Sequence, residues 1–207
     1  MANVPVRVIV ENLTSEEGGS ILSPPWVGFH DGNFDIYDRG RPASPGIQSI
    51  AEDGDTAIML QEFELSGLGT VDGMVGGGPI LPGQMATEGF VLDSDDPQSR
   101  YFSYASMFVP SNDAWIGNGN EKEYRVFNNG GQFKPISFMV MGDDVLDAGS
   151  EVNDERAPNA LGIPGGEPGN GTDENGVVLK HPGYRGSEGN PGQSPRILNE
   201  GDRKSVV

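Results

Sequence analysis

The run Tyr101-Phe-Ser-Tyr-Ala-Ser-Met-Phe-Val109 constrains this chain more than any other stretch. It is aromatic and apolar, has the length of a sheet strand, and is closed by Pro110. A polar loop follows, Ser111-Asn-Asp-Ala-Trp-Ile-Gly117, which carries Asp113. A second strand is expected over Ile136-Ser-Phe-Met-Val-Met141, running into the acidic turn Gly142-Asp-Asp-Val-Leu-Asp-Ala-Gly-Ser-Glu151. Two strands that each end in a carboxylate-bearing loop are a way for a β-sandwich to build a cation site at one end. Hard cations such as calcium collect six to eight oxygen ligands from carboxylates, carbonyls and water. Asp113, Asp147 and Glu151 are therefore the candidate metal ligands, with Gly149 free to take the positive φ that a tight turn between the last two needs.

The rest reads as scaffold. Val4, Val6, Val8 and Val10 alternate with Pro5, Arg7, Ile9 and Glu11, a half-buried strand whose Pro5 suits a sheet edge. Asn12-Leu-Thr14 fits a glycosylation sequon but reads as a strand end. Asp31, Asn33 and Asp35 open like an EF-hand loop, yet Ile36 stands where that loop needs Gly and Pro42 where it needs Glu. Ser44 before Pro45 predicts one short helix over Pro45-Gly-Ile-Gln-Ser-Ile-Ala-Glu52. Residues 57–65 are expected as a strand, and 66–84, with three consecutive glycines from Gly76, as a flexible surface loop without phosphate-binding chemistry. Short strands at Phe90-Val-Leu92 and Glu123-Tyr-Arg-Val-Phe127 follow, the latter leading into an Asn129-Gly130 hairpin turn. About seven short strands with turn chemistry between them predict an all-β chain, an antiparallel β-sandwich.

Composition narrows the partners. A formal charge of −18 argues against nucleic acid and anionic membranes, and suits divalent cations or a saline medium. With no cysteine there is no disulfide framework and no thiolate site. No apolar run approaches the roughly 18 residues of a membrane helix, so no membrane insertion is expected, and no signal peptide is visible. Two histidines and no nucleophile elbow or zinc-protease helix leave little for catalysis, so no catalytic residue is assigned.

From Pro158 onward Gly and Pro crowd the sequence. The expected division is a β-sandwich domain over residues 1–156 and an extended C-terminal arm over 157–207. The strand-like Gly176-Val-Val-Leu-Lys180 in the arm is suited to adding to the exposed edge of an adjacent subunit, giving a homo-oligomer or filament.

The order of motifs resembles the spondin N-terminal domain, most closely its stand-alone bacterial members. The motifs are a strand, Asn12-Leu-Thr, Ser23-Pro-Pro-Trp-Val-Gly-Phe-His30, Ala43-Ser-Pro-Gly46, Ala51-Glu-Asp-Gly54, Phe108-Val-Pro-Ser-Asn-Asp-Ala-Trp115 and Asp147-Ala-Gly-Ser-Glu151. The resemblance covers roughly residues 4–154. It implies a C2-like sandwich with Ca2+ at one end, Asp113 standing in a Ser-Pro-Asp-Trp-type loop and Asp147 in an Asp-Ala-Gly-Thr-Asp-type turn. Glu151 replaces the second Asp of that turn, the family's cysteines are missing, and Ala114 is an insertion before Trp115. The function implied is a calcium-binding extracellular recognition or adhesion module with a glycan or protein ligand. A self-assembling structural protein is the alternative.

Overall fold

The computed structural model describes residues 3–16, 19–153 and 166–183. Among them are ten strands: β1 Asn3–Glu11, β2 Ile21–Leu22, β3 Trp26–His30, β4 Gly69–Met74, β5 Met85–Asp93, β6 Tyr101–Val109, β7 Ala114–Gly117, β8 Tyr124–Arg125, β9 Leu146–Asp147 and β10 Leu179–Lys180. Two helices, α1 Pro45–Asp53 and α2 Ala57–Ser66, lie between β3 and β4. The large sheet runs β10-β9-β7-β6-β3-β4, with β2 and β8 also paired to β6, and every pairing is antiparallel. β1 and β5 form a separate antiparallel ribbon in continuous register from Asn3↔Asp93 to Glu11↔Met85. The chain is thus mostly antiparallel β-sheet and sandwich-like.

Covering both faces of the large sheet explains the run at its centre. Phe102, Tyr104 and Phe108 of β6 face the β1–β5 ribbon, together with Val27, Phe29 and Ile116. Ala105 faces the helices, where Trp26, Trp115, Ile47, Ile50, Met59 and Phe63 close the second cluster. A strand buried on both sides loses its polar alternation, and seven consecutive residues of β6 are buried.

Several elements differ from expectation. Ala57–Ser66 is a helix rather than a strand, so the described residues hold two α-helices where one was expected. Its Ala, Met, Leu, Gln and Glu are strong helix formers, and Met59 and Phe63, one turn apart, are the buried pair. Glu62 on this helix also accepts from Gly46 N–H (2.9 Å) and from the Ser44 hydroxyl (2.8 Å), adding to the Ser44 cap that starts α1. Gly69–Met74, expected within a flexible loop, is edge strand β4 on β3. The loop after Pro110 turns at once into β7. Of the strand expected over 136–141, residues 136–139 have no ladder partner and Val140 makes only an isolated bridge. The supposed sequon Asn12 is fully buried, its amide nitrogen donating to Ser20 and Ile80 carbonyls at 2.8 Å each.

The part of the arm over 166–183 packs on the body. Val178 is fully buried among the helix-side cluster, exchanges backbone bonds with the Gly40–Arg41 turn, and leads into β10 on β9. The strand-like residues around Leu179 are therefore used within this chain. The remainder of the arm, 157–165 and 184–207, lies outside the described residues. No helix among the described residues is long and apolar enough to cross a membrane.

Candidate metal centre

The candidate centre sits where β7 and β9 begin and end. Ala114 lies opposite Asp147 in the ladder, so the loop holding Asp113 and the turn holding Glu151 are brought side by side. Asp113 is fully buried. Its Oδ2 accepts the Ser150 N–H (2.8 Å), the Glu151 N–H (3.1 Å) and the Ser150 hydroxyl (3.3 Å), while its own carbonyl accepts Ala148 N–H. The other oxygen, Oδ1, is buried without a hydrogen-bond partner. A solvent-excluded carboxylate oxygen left unpaired is costly.

Gly149 makes the turn possible. Its φ is 67°, and a Cβ there would strike the backbone of Val177 at 2.5 Å, so it serves both the turn and the close pass of the 166–183 segment. Asp147 Oδ1 accepts Gly149 N–H (2.7 Å), and Oδ2 accepts the Asn153 amide (2.5 Å). Asn153 Oδ1 in turn meets His181 Nε2 (3.2 Å), and Gly183 N–H donates to His181 Nδ1 (3.0 Å). With Nδ1 accepting, Nε2 carries the proton and donates to Asn153 Oδ1, which links the Asp147 carboxylate through Asn153 to the docked arm. Glu151 is buried, bridges to Asp173 through its backbone, and presses its carboxylate against Gly171, where a Cβ would overlap it.

Electrostatics concentrate here. Burial first, and then the neighbouring Asp147, push the Asp113 carboxyl up to about 7 against the pull of its hydrogen bonds. Burial likewise takes Glu151 up to about 7, helped by Glu52, Asp113 and Asp53. Burial lowers His181 to about 4 despite Asp147, so at neutral pH this imidazole supplies no counter-charge. Acidic groups this crowded are relieved by a proton or a cation.

The structure brings all three candidate ligands to one turn region, with Asp113 between the other two electrostatically. As the side chains stand, no group of three His, Asp or Glu among the described residues is arranged to hold a metal ion. Asp143, in the same acidic run, is exposed and 3.5 Å from Lys180. Asn153, His181, Glu52 and Asp53 carry no sequence signal for this neighbourhood. The first two lie around the Gly/Pro-rich stretch and the last two close α1. Compared with known proteins, the chain matches no family model and no curated protein.

Proposed function

We propose that this chain is a non-catalytic, calcium-binding recognition or adhesion module of the cell exterior, with Asp113 at the centre of its ion site. The observation that carries this reading is the buried, unpartnered Oδ1 of Asp113, set beside two further acidic side chains. Its donors are hard oxygens, which fit calcium by chemistry. Asp147 would join by giving up its Asn153 amide, Glu151 by turning from Gly171, and carbonyls and water would complete the shell. The resemblance to spondin N-terminal domains supplies the extracellular recognition role and the glycan or protein ligand.

The absence of catalysis is part of the same reading. Both ring nitrogens of His30 are engaged, with Ser103 and Gly32, as are those of His181. Burial holds each imidazole down to about 4. A general base needs a free acceptor nitrogen near a substrate, and neither histidine offers one.

Thermal unfolding in calcium against chelator tests the proposal. At a free concentration near one hundred times the dissociation constant, binding stabilises by roughly 2.7 kcal/mol. For a chain of this size that is a rise in Tm of roughly 5–11 °C. Superimposed curves in calcium and chelator would end the calcium reading.

A further inference from the structure

β1 pairs with β5 alone among the described residues, so its other edge is open. The register tells which backbone groups lie there. Asn12 N–H donates to the Gln84 carbonyl and Gly83 N–H to the Asn12 carbonyl, each at 2.8 Å, so Asn12 faces the β5 side. Backbone direction alternates along an antiparallel strand. Arg7, Ile9 and Glu11 therefore turn their N–H and C=O groups to the open edge, where none of them bonds to another described segment. Pro5 faces the same way, and its missing donor costs the β1–β5 ladder nothing. A cavity of about 520 Å3 runs along this edge, lined by every residue from Pro5 to Glu11. The half-buried Ile136 and Phe138 stand in its far wall.

Side chains decide what fits the edge. Arg7, Ile9 and Glu11 are exposed on the outer face of the ribbon, and neither charge has an ion-pair partner among the described residues. Arg7-Val-Ile-Val-Glu11 is its own antiparallel complement: turned about Ile9, Ile9 meets Ile9, Arg7 meets Glu11 and Val8 meets Val10. We propose that a second copy of this chain pairs here, β1 to β1 about a two-fold axis at Ile9, joining the two ribbons into one sheet. The proposal does not rest on the calcium reading. Every facing pair, Ile9 with Ile9 and Arg7 with Glu11 on either side of it, exchanges two backbone bonds. The opposite charges lie directly across from each other on the outer face, while Val8 and Val10 of the second copy point to the cavity side. No other register does this. An axis at Arg7 or Glu11 sets like charges opposite, and one at Val8 or Val10 leaves both charges without a counterpart. The open edge of β5 offers no match either, because Met85, Thr87, Gly89 and Val91 are uncharged. The net charge of −18 opposes association at long range but is screened beyond about 8 Å at physiological salt, so the pairs at the edge decide. A two-fold contact of this kind closes on itself, which makes the dimer the end state.

Sedimentation velocity of the full chain over rising concentration tests this, with the wild type expected to pass from monomer to dimer. Arg7→Glu and Glu11→Arg each set like charges opposite at both ion pairs, and each should dimerise more weakly by about tenfold or more. An equal mixture of the two variants restores both ion pairs, so the dimer should return as the mixed species. Damage to the fold by either change would not be mended by mixing. Hydrogen exchange on the same samples gives the second measurement: the Ile9 and Glu11 amides should slow with concentration in the wild type and in neither variant alone. A wild type that stays monomeric at every concentration would overturn the proposal, and an edge already filled by the chain's own segment or by a small molecule would produce that result. Species larger than a dimer would overturn the two-fold contact. Single variants that associate like the wild type, or a dimer whose Ile9 and Glu11 amides exchange as in the monomer, would place the interface away from β1 and equally overturn it.

Discussion

The carboxylate of Asp113 accepts the backbone N–H of Glu151 at 3.1 Å, across 38 positions of sequence. One candidate ligand thereby shapes the turn that carries another. Any change at Asp113 acts on both the ion site and the fold, so Asp147 is the better probe of the ion.

Asp147→Asn keeps the shape of the side chain and removes one charge. In calcium it should lose most of the rise in Tm, while Asp143→Asn, at an exposed position, keeps it. Without calcium, Asp147→Asn should be modestly less stable than the wild type, because its amide nitrogen faces either Gly149 N–H or the Asn153 amide, a loss offset in part by relief of the like charge beside Asp113. Differential scanning fluorimetry of the three proteins decides this. A full calcium response in Asp147→Asn would remove Asp147 from the site.

Val178→Ala tests whether 166–183 belongs to the folded body. A fully buried valine cut to alanine loses about 2 kcal/mol in transfer and cavity terms. Urea unfolding should show that loss with an unchanged slope. No change in midpoint would mean that the docked segment adds nothing to stability.

Glu62→Ala removes both acceptors that tie α2 to the start of α1, the bonds from Ser44 and Gly46. A loss of about 1–2 kcal/mol is expected, the scale of a helix cap with one charge-assisted bond. Glu62→Gln, which keeps one acceptor, should recover part of it. Equal stability of all three proteins would show the contact to be idle.

His30 supplies a pH dependence. Burial lowers its folded pKa from 6.5 to about 4, opposed by Asp31 and Glu121. The unfolded chain therefore binds the proton first. Its contribution, on the order of 3 kcal/mol, is complete above pH 6.5 and is lost as pH falls toward 4. Asp113 and Glu151, raised to about 7, work in the opposite direction over much of that range. The imidazole is therefore best followed directly by NMR titration. A midpoint near 4 is expected, and one near 6.5 would show that the ring is not held neutral by burial.

The acidic turn was legible in the sequence because its chemistry is local. Asp147, Gly149 and Glu151 lie within five residues, and Gly149 takes the expected positive φ. What surrounds them was not legible. His181 and Val178 sit in a Gly/Pro-rich stretch whose composition describes a tail, and only docking on β9 and the Gly40–Arg41 turn buries them.

By itself the sequence determined the elements that depend on neighbours along the chain. The Ser44 cap before Pro45 starts α1, and the valine alternation makes β1. The aromatic run to Pro110 is β6. The helical character of Ala57–Ser66 was also present, in its helix formers, although apolar content alone suggests a strand. Tertiary structure decided everything that needs a partner. Gly69–Met74 became a strand because β3 offers it an edge, whereas residues 136–139, with better strand composition, have none. The physical reason is that a helix satisfies its backbone from within, while a strand's hydrogen bonds belong to another segment.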